Sequence, residues 1–166
     1  MPYESKAIAN YFLGLAERDG VPLSPMKIQK LVYFAHGWHL AIYDEPLIDE
    51  TVEAWEFGPV VPTLYRDFKR FGNGPITEKA TKVVLGGGDS WLKRTIRIEV
   101  PQLYDSKIQV FLDVIWEKYK GFSAIQLSNL THVSDSPWSL VYKENVGRKG
   151  VDIPDPQIKA YFEASL

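Results

Sequence analysis

The chain has 166 residues, a formal net charge of −2, a pI near 5.9 and no cysteine. That length suits one soluble domain, residues 1–166, with a sizeable core. The charge balance calls for neither a nucleic acid nor an acidic membrane as partner, and disulfides, thiolate metal sites and cysteine nucleophiles are excluded.

The N-terminal stretch MPYESKAIANYF lacks the basic-then-apolar order of a signal peptide, and no apolar run reaches membrane length. A cytoplasmic protein is expected. Ile8, Tyr11, Phe12 and Leu15 recur at helical spacing before Gly20, which predicts a helix over residues 4–18. Ser24 as N-cap and Pro25 at the first position start a second helix, residues 25–43. TVEAWEF reads as a strand ended by Gly58-Pro59, and Pro62 restarts a helix to Phe71. ATKVVL and RTIRIEV flank GGGDSWLK and read as a hairpin. SKIQVFLDVIWEKY places Ile108, Phe111, Leu112, Ile115 and Trp116 on one helical stripe. Ser123 and Gln126 stand in capping-box spacing. Ser136-Pro137 and Asp155-Pro156 start two more helices. The sum is a predominantly α-helical α+β fold, one compact domain of six or seven helices with a small antiparallel sheet or hairpin.

The second helix carries a pair of histidines in KLVYFAHGWHLAIY. Ile28, Leu31, Val32, Ala35, His39 and Ile42 form one stripe, while Tyr33, His36, Leu40 and Tyr43 lie on other sides. A helix apolar nearly all round is central and buried. Gly37 inside it costs about 1 kcal/mol against alanine, which a close helix–helix contact would offset. Paired zinc ligands on a helix usually stand at i and i+4, whereas His36 and His39 stand at i and i+3. A third ligand would have to come from Glu53, Glu56 or His132, and the two glutamates have opposite strand parity. Packed, hydrogen-bonded histidines are expected, with no metal and no cofactor. His36 and His132 are expected to bond backbone near two corners of the chain, and Trp38 and Trp116 to be core.

Other chemistry is thin. GGGDS lacks the lysine and helix of a P-loop. YRDFKRF gathers Arg66, Lys69 and Arg70 beside Tyr65 and Phe68, but Asp67 interrupts them and a solvated face is expected. Ser123, Ser128, Ser134 and Ser136 stand in cap or turn contexts, and no catalytic set emerges. Two rigid aromatic corners remain. One is EAWEFGPVVPTLYRDF, with Trp55, Phe57 and Tyr65. The other is LSNLTHVSDSPWSLVY, with Thr131, His132 and Trp138. Such corners make contact surfaces for another protein.

The run from Met26 to Phe68, MKIQKLVYFAHGWHLAIYDEPLIDETVEAWEFGPVVPTLYRDF, resembles the signature of the Panacea domain. This is the SocA-like antitoxin family, frequent in prophages and bacterial genomes. LTHVSDSPWSLVY resembles its second motif. The matching positions are His36, Gly37, Trp55, Gly58, Pro59, Tyr65, Thr131, His132, Pro137 and Trp138. Residues 76–102 match no motif and read as a variable part. The resemblance implies the antitoxin of a type II toxin–antitoxin system, not an enzyme, which neutralises a co-encoded toxin by direct protein–protein contact. The expected contact residues are Trp55, Phe57, Tyr65 and Trp138 at the corners and Trp91 on the hairpin. A membrane or nucleic-acid partner is not expected, and the oligomeric state is left open. The alternatives are a metal-assisted hydrolase using the histidines and a DNA-binding autoregulator.

Overall fold

The structure, a computed structural model, describes residues 1–88 and 95–166. Helix α1 spans Ser5–Asp19 and ends on Gly20, whose φ of 65° is the left-handed conformation expected of a glycine stop. Helix α2 spans Pro25–Tyr43, and the Ser24 hydroxyl accepts from the Lys27 amide at 3.2 Å. Thirteen of its 19 residues are buried, so it forms the centre of the fold. The buried surface stops at Leu40, however. Ile42, expected on the core stripe, is half exposed: in the last turn it is Tyr43 that packs, edge to face on Phe111. Trp38 is only half-buried; its indole N–H donates to the Tyr119 hydroxyl at 2.8 Å.

Strands β1 (Val52–Trp55) and β2 (Gly58–Val60) pair antiparallel, with Trp55 opposite Gly58 and Ala54 opposite Pro59. Gly58-Pro59 was expected to end the strand. Instead it opens the returning one, and Glu56 and Phe57 form the turn. A proline is tolerated there because β2 is an edge strand. The other edge is β5 (Val151–Ile153), which pairs antiparallel with β1 and which the sequence did not signal.

Helix α3 covers Pro62–Phe68, and a 3₁₀ turn at Lys69–Phe71 completes the expected segment. Strands β3 (Lys82–Gly86) and β4 (Thr95–Glu99) form the hairpin. Asn10 of α1 secures its base: the side-chain amide donates to the Ala80 and Pro101 carbonyls, and its oxygen accepts from the Ala80 N–H. The connection that carries Trp91 lies outside the described residues.

Helix α4 (Ser106–Tyr119) is capped by Asp105 and buries Trp116 completely. The Trp116 indole donates to Asp19 at the end of α1, at 2.7 Å. Helices α5 (Ala124–Thr131) and α6 (Pro137–Glu144) start on the expected caps, and in α5 both halves of the Ser123–Gln126 capping box are made. Helix α7 (Asp155–Glu163) lies against α2. A Cβ on Gly37 would fall 2.3 Å from the Phe162 ring, so Gly37 marks the close contact its helix cost implied. Phe162 meets Tyr33, Phe34 and Trp38 edge to face, with centroids 5.1–6.1 Å apart. Among the described residues, seven α-helices and two small antiparallel sheets make the predominantly helical α+β fold. Among the described residues, no helix is long and apolar enough to cross a membrane.

Candidate functional site

A turn of chain cannot hold a rigid shape unless its carbonyls and amides find partners. In the β1–β2 hairpin, four alternate residues are held from outside. The Trp138 indole of α6 donates to the Trp55 carbonyl at 2.6 Å. The Ser128 hydroxyl of α5 donates to the Phe57 carbonyl at 3.1 Å. The Lys30 amine of α2 donates to the Pro59 carbonyl at 3.1 Å. Gln29 saturates Val61 with its whole side-chain amide, donating to the carbonyl at 3.0 Å and accepting from the N–H at 2.9 Å. Three helices thus fix one turn.

Gly58 sits at the closest point. Its φ is 114°, and a Cβ there would lie 2.7 Å from Lys30 Nζ and 2.9 Å from Thr131 Oγ1. Conformation and space both demand glycine. The two corners seen in the sequence are therefore one. The Thr131–Trp138 stretch packs onto the Trp55–Pro59 turn, although more than 70 residues separate them in the chain.

The histidines serve packing geometry. His132 Nδ1 donates to the Ser128 carbonyl at 2.6 Å, and its ring meets Trp138 edge to face at 4.0 Å. That is backbone bonding near the corner, as expected. His36 is different: its Nε2 lies 2.9 Å from the Asp155 carboxylate, so it ties α2 to the start of α7 rather than to backbone at a corner. Its Nδ1 is buried with no partner. His39 Nδ1 donates to the Glu45 carbonyl at 2.7 Å. The two helical histidines are directed to different partners. Among the described residues, no three His, Asp or Glu side chains converge as a ligand set.

A groove of about 820 Å³ opens beside the turn. Trp55, Phe57 and Tyr65 line it. Phe57 is 63% exposed and Tyr65 43%, and Trp55 meets Tyr65 edge to face at 4.8 Å. The Trp55 indole is steadied by Glu53, whose carboxylate accepts its N–H at 2.7 Å. Trp138 is 8% exposed and stacks on Tyr142, so it supports the turn from beneath and offers little surface of its own.

Lys30 also lines the groove, at its floor, 1% exposed. Burial pushes its amine down to about 7. The exposed Lys69, Arg148 and Lys149 stand around the rim. The sequence reading found the aromatic wall but missed Gln29 and Lys30. The available signal was two adjacent long polar side chains in a helix otherwise apolar on every side, since such residues are buried only for a partner.

The fold and site define a helical α+β module that presents a clamped aromatic turn above a cationic groove. Its sequence matches the family model described as the antitoxin SocA-like, Panacea domain, over residues 28–139. The chain belongs to this SocA-like antitoxin family. It is also 33% identical over 162 residues to a protein named antitoxin SocA from Caulobacter vibrioides (strain NA1000 / CB15N), covering 96% of this chain and 82% of that relative. No solved structure matches the chain.

Proposed function

We propose that this chain is the antitoxin of a type II pair, that residues 1–166 act as one domain in the cytoplasm, and that it neutralises a co-encoded toxin by direct contact, without catalysis. The observation that carries the reading is the β1–β2 turn. Three helices hold it rigid, yet its Phe57 and the neighbouring Tyr65 are left in solvent. An exposed aromatic on a pre-set backbone loses little entropy on binding, which is the property of an interface anchor. Membership in the SocA-like antitoxin family and the likeness to a protein named antitoxin SocA support the same reading. Trp55, Phe57 and Tyr65 are the proposed contacts on the groove side. Trp91, outside the described residues, is proposed as a further anchor, and Trp138 as the residue that positions the turn.

The test is to induce the neighbouring reading frame with and without this chain, then purify the two proteins together. The expected results are toxicity of the neighbour alone, rescue by co-expression, and a stable complex burying about 1,200–2,000 Å². Phe57→Ala and Tyr65→Ala are expected to lose rescue while keeping their melting temperatures. A neighbour that is harmless alone, or that never co-purifies, refutes the proposal.

A further inference from the structure

Lys27, Gln29 and Lys30 all turn inward from α2, and Gln29 is fully accounted for by the fold. Lys27 donates to the Lys120 carbonyl at 2.7 Å, at the end of α4. Gln29 matches both polar groups of Val61. Lys30, like Lys27, holds a single carbonyl, but it is the more deeply buried of the two and it lines the groove. An ammonium has three donors; the Pro59 carbonyl at 3.1 Å takes one. Among the described residues no carboxylate lies within ion-pair distance of it. A neutral side chain of similar length could hold one carbonyl without the desolvation of an amine, as Gln29 does next door.

The surroundings share its sign. Lys69, Arg148 and Lys149 line the same groove, are exposed, and make no ion pair among the described residues. Among the described residues, Glu56 is the single acidic one lining it. This cationic groove sits on a chain whose net charge is −2. Beside the amides of Gln29 and Asn73, its walls are largely aromatic or aliphatic, with Trp55, Tyr65, Met26 and Leu64 among them. Apolar walls around a buried, under-paired cation are complementary to a carboxylate carried on an apolar or aromatic stretch of polypeptide.

We propose that the groove receives an acidic segment of the toxin, with one Asp or Glu carboxylate seated on the Lys30 amine, apolar neighbours against Trp55 and Tyr65, and further acidic residues facing Lys69, Arg148 and Lys149. This rests on the antitoxin reading for the identity of the partner. It adds the chemistry that the partner must carry. The amine's depressed ionisation fits the same arrangement, because a bound carboxylate would restore its charge.

The experiment has two arms. In the first, a displayed library of random twelve-residue peptides is selected on the wild-type protein and on Lys30→Met. Wild type is expected to enrich Asp or Glu beside an apolar or aromatic residue, and Lys30→Met to lose the acidic preference. The best peptide is then synthesised with its carboxylate and with the matching amide. The amide is expected to bind wild type roughly tenfold or more weakly, and Lys30→Met is expected to bind both alike. The comparison on wild type needs no variant, so it stands even if Lys30→Met folds poorly. Selection without acidic enrichment, or equal binding of acid and amide by wild type, overturns the site.

In the second arm, the neighbour's product is titrated calorimetrically with wild type and Lys30→Met, alongside growth rescue. Weaker binding by Lys30→Met, at unchanged or raised melting temperature, supports the proposal. Equal binding and equal rescue overturn the Lys30 site and leave the antitoxin reading intact. A neighbour that is harmless overturns the toxin as the occupant, whatever the peptides show.

Discussion

Replacing Lys30 with methionine should make the protein more stable at neutral pH, and the gain should vanish as the pH rises. Burial moves the amine from 10.5 to about 7. At ~1.4 kcal/mol per pKa unit that fall corresponds to about 5 kcal/mol, and relaxation and water penetration reduce the working figure to about 2–4 kcal/mol. The sign follows from proton counting. Between pH 7 and 10.5 the unfolded chain holds a proton on Lys30 and the folded chain does not, so wild-type stability rises with pH through that window. Below pH 7 both states are protonated and the full penalty applies. Methionine fills the same space with no charge to desolvate, but leaves the Pro59 carbonyl without its donor, a loss of about 1 kcal/mol. The net gain at pH 6–7 is then about 1–3 kcal/mol, shrinking to zero or a slight loss near pH 10. Urea titrations of the two proteins, measured in parallel at four values between pH 6 and 10, read the difference directly, because all other titrating groups are common to both. A Lys30→Met protein that is less stable at pH 6–7, or a difference that stays flat with pH, would show that the amine is well solvated or paired, and the cationic floor of the groove would lose its basis.

Gly58→Ala should destabilise by about 2 kcal/mol or more in the same titrations, because its φ of 114° strains any L side chain and the new Cβ would push on the Lys30 amine. Trp116→Ala should lose about 3–5 kcal/mol, since that ring is fully buried, while Arg66→Ala on the exposed side of α3 should stay within about 0.5 kcal/mol; similar losses at both would contradict the helix assignments. Elemental analysis of protein purified without chelator should find zinc, iron and manganese below one equivalent. A tightly held equivalent lost in His39→Ala would revive the hydrolase alternative.

Local grammar carried far into this fold. Ser24-Pro25, Ser123–Gln126 and Ser136-Pro137 each begin a helix where their chemistry says one begins, because a cap satisfies amides only a few residues away. Asp155-Pro156 begins one too, but the Asp155 carboxylate takes His36 instead of capping. Nothing in the spacing of His36 could name a partner 119 residues away. The same limit hid the site's architecture. Trp55 and Trp138 were each legible as a corner residue, yet the bond that makes one corner of two spans 83 residues. Strand β5 is three residues long and shows no periodicity to read, so only its pairing with β1 defines it. Burial at the end of α2 has the same limit: the spacing puts Ile42 on the apolar stripe, but which residues of the last turn are covered is a tertiary fact.

Rigid backing and exposed aromatics make different demands, and the β1–β2 turn meets both by dividing them between the faces of one short hairpin. The backbone carbonyls of Trp55, Phe57 and Pro59 are each taken by a side chain of a different helix. The turn therefore does not need a partner in order to be ordered, and the ordering entropy that a mobile loop would lose on association is already spent in folding. Lys30 belongs to both faces at once: its hydrogen bond to Pro59 fixes the backbone, and the same side chain lines the groove. A residue selected for stability alone would be apolar there, and the predicted gain in Lys30→Met measures how much stability the fold gives up by keeping a charge under its contact surface. If that variant is both more stable and weaker in binding, the two effects assign the amine to recognition rather than to folding, since a purely structural lysine would lose stability and affinity together.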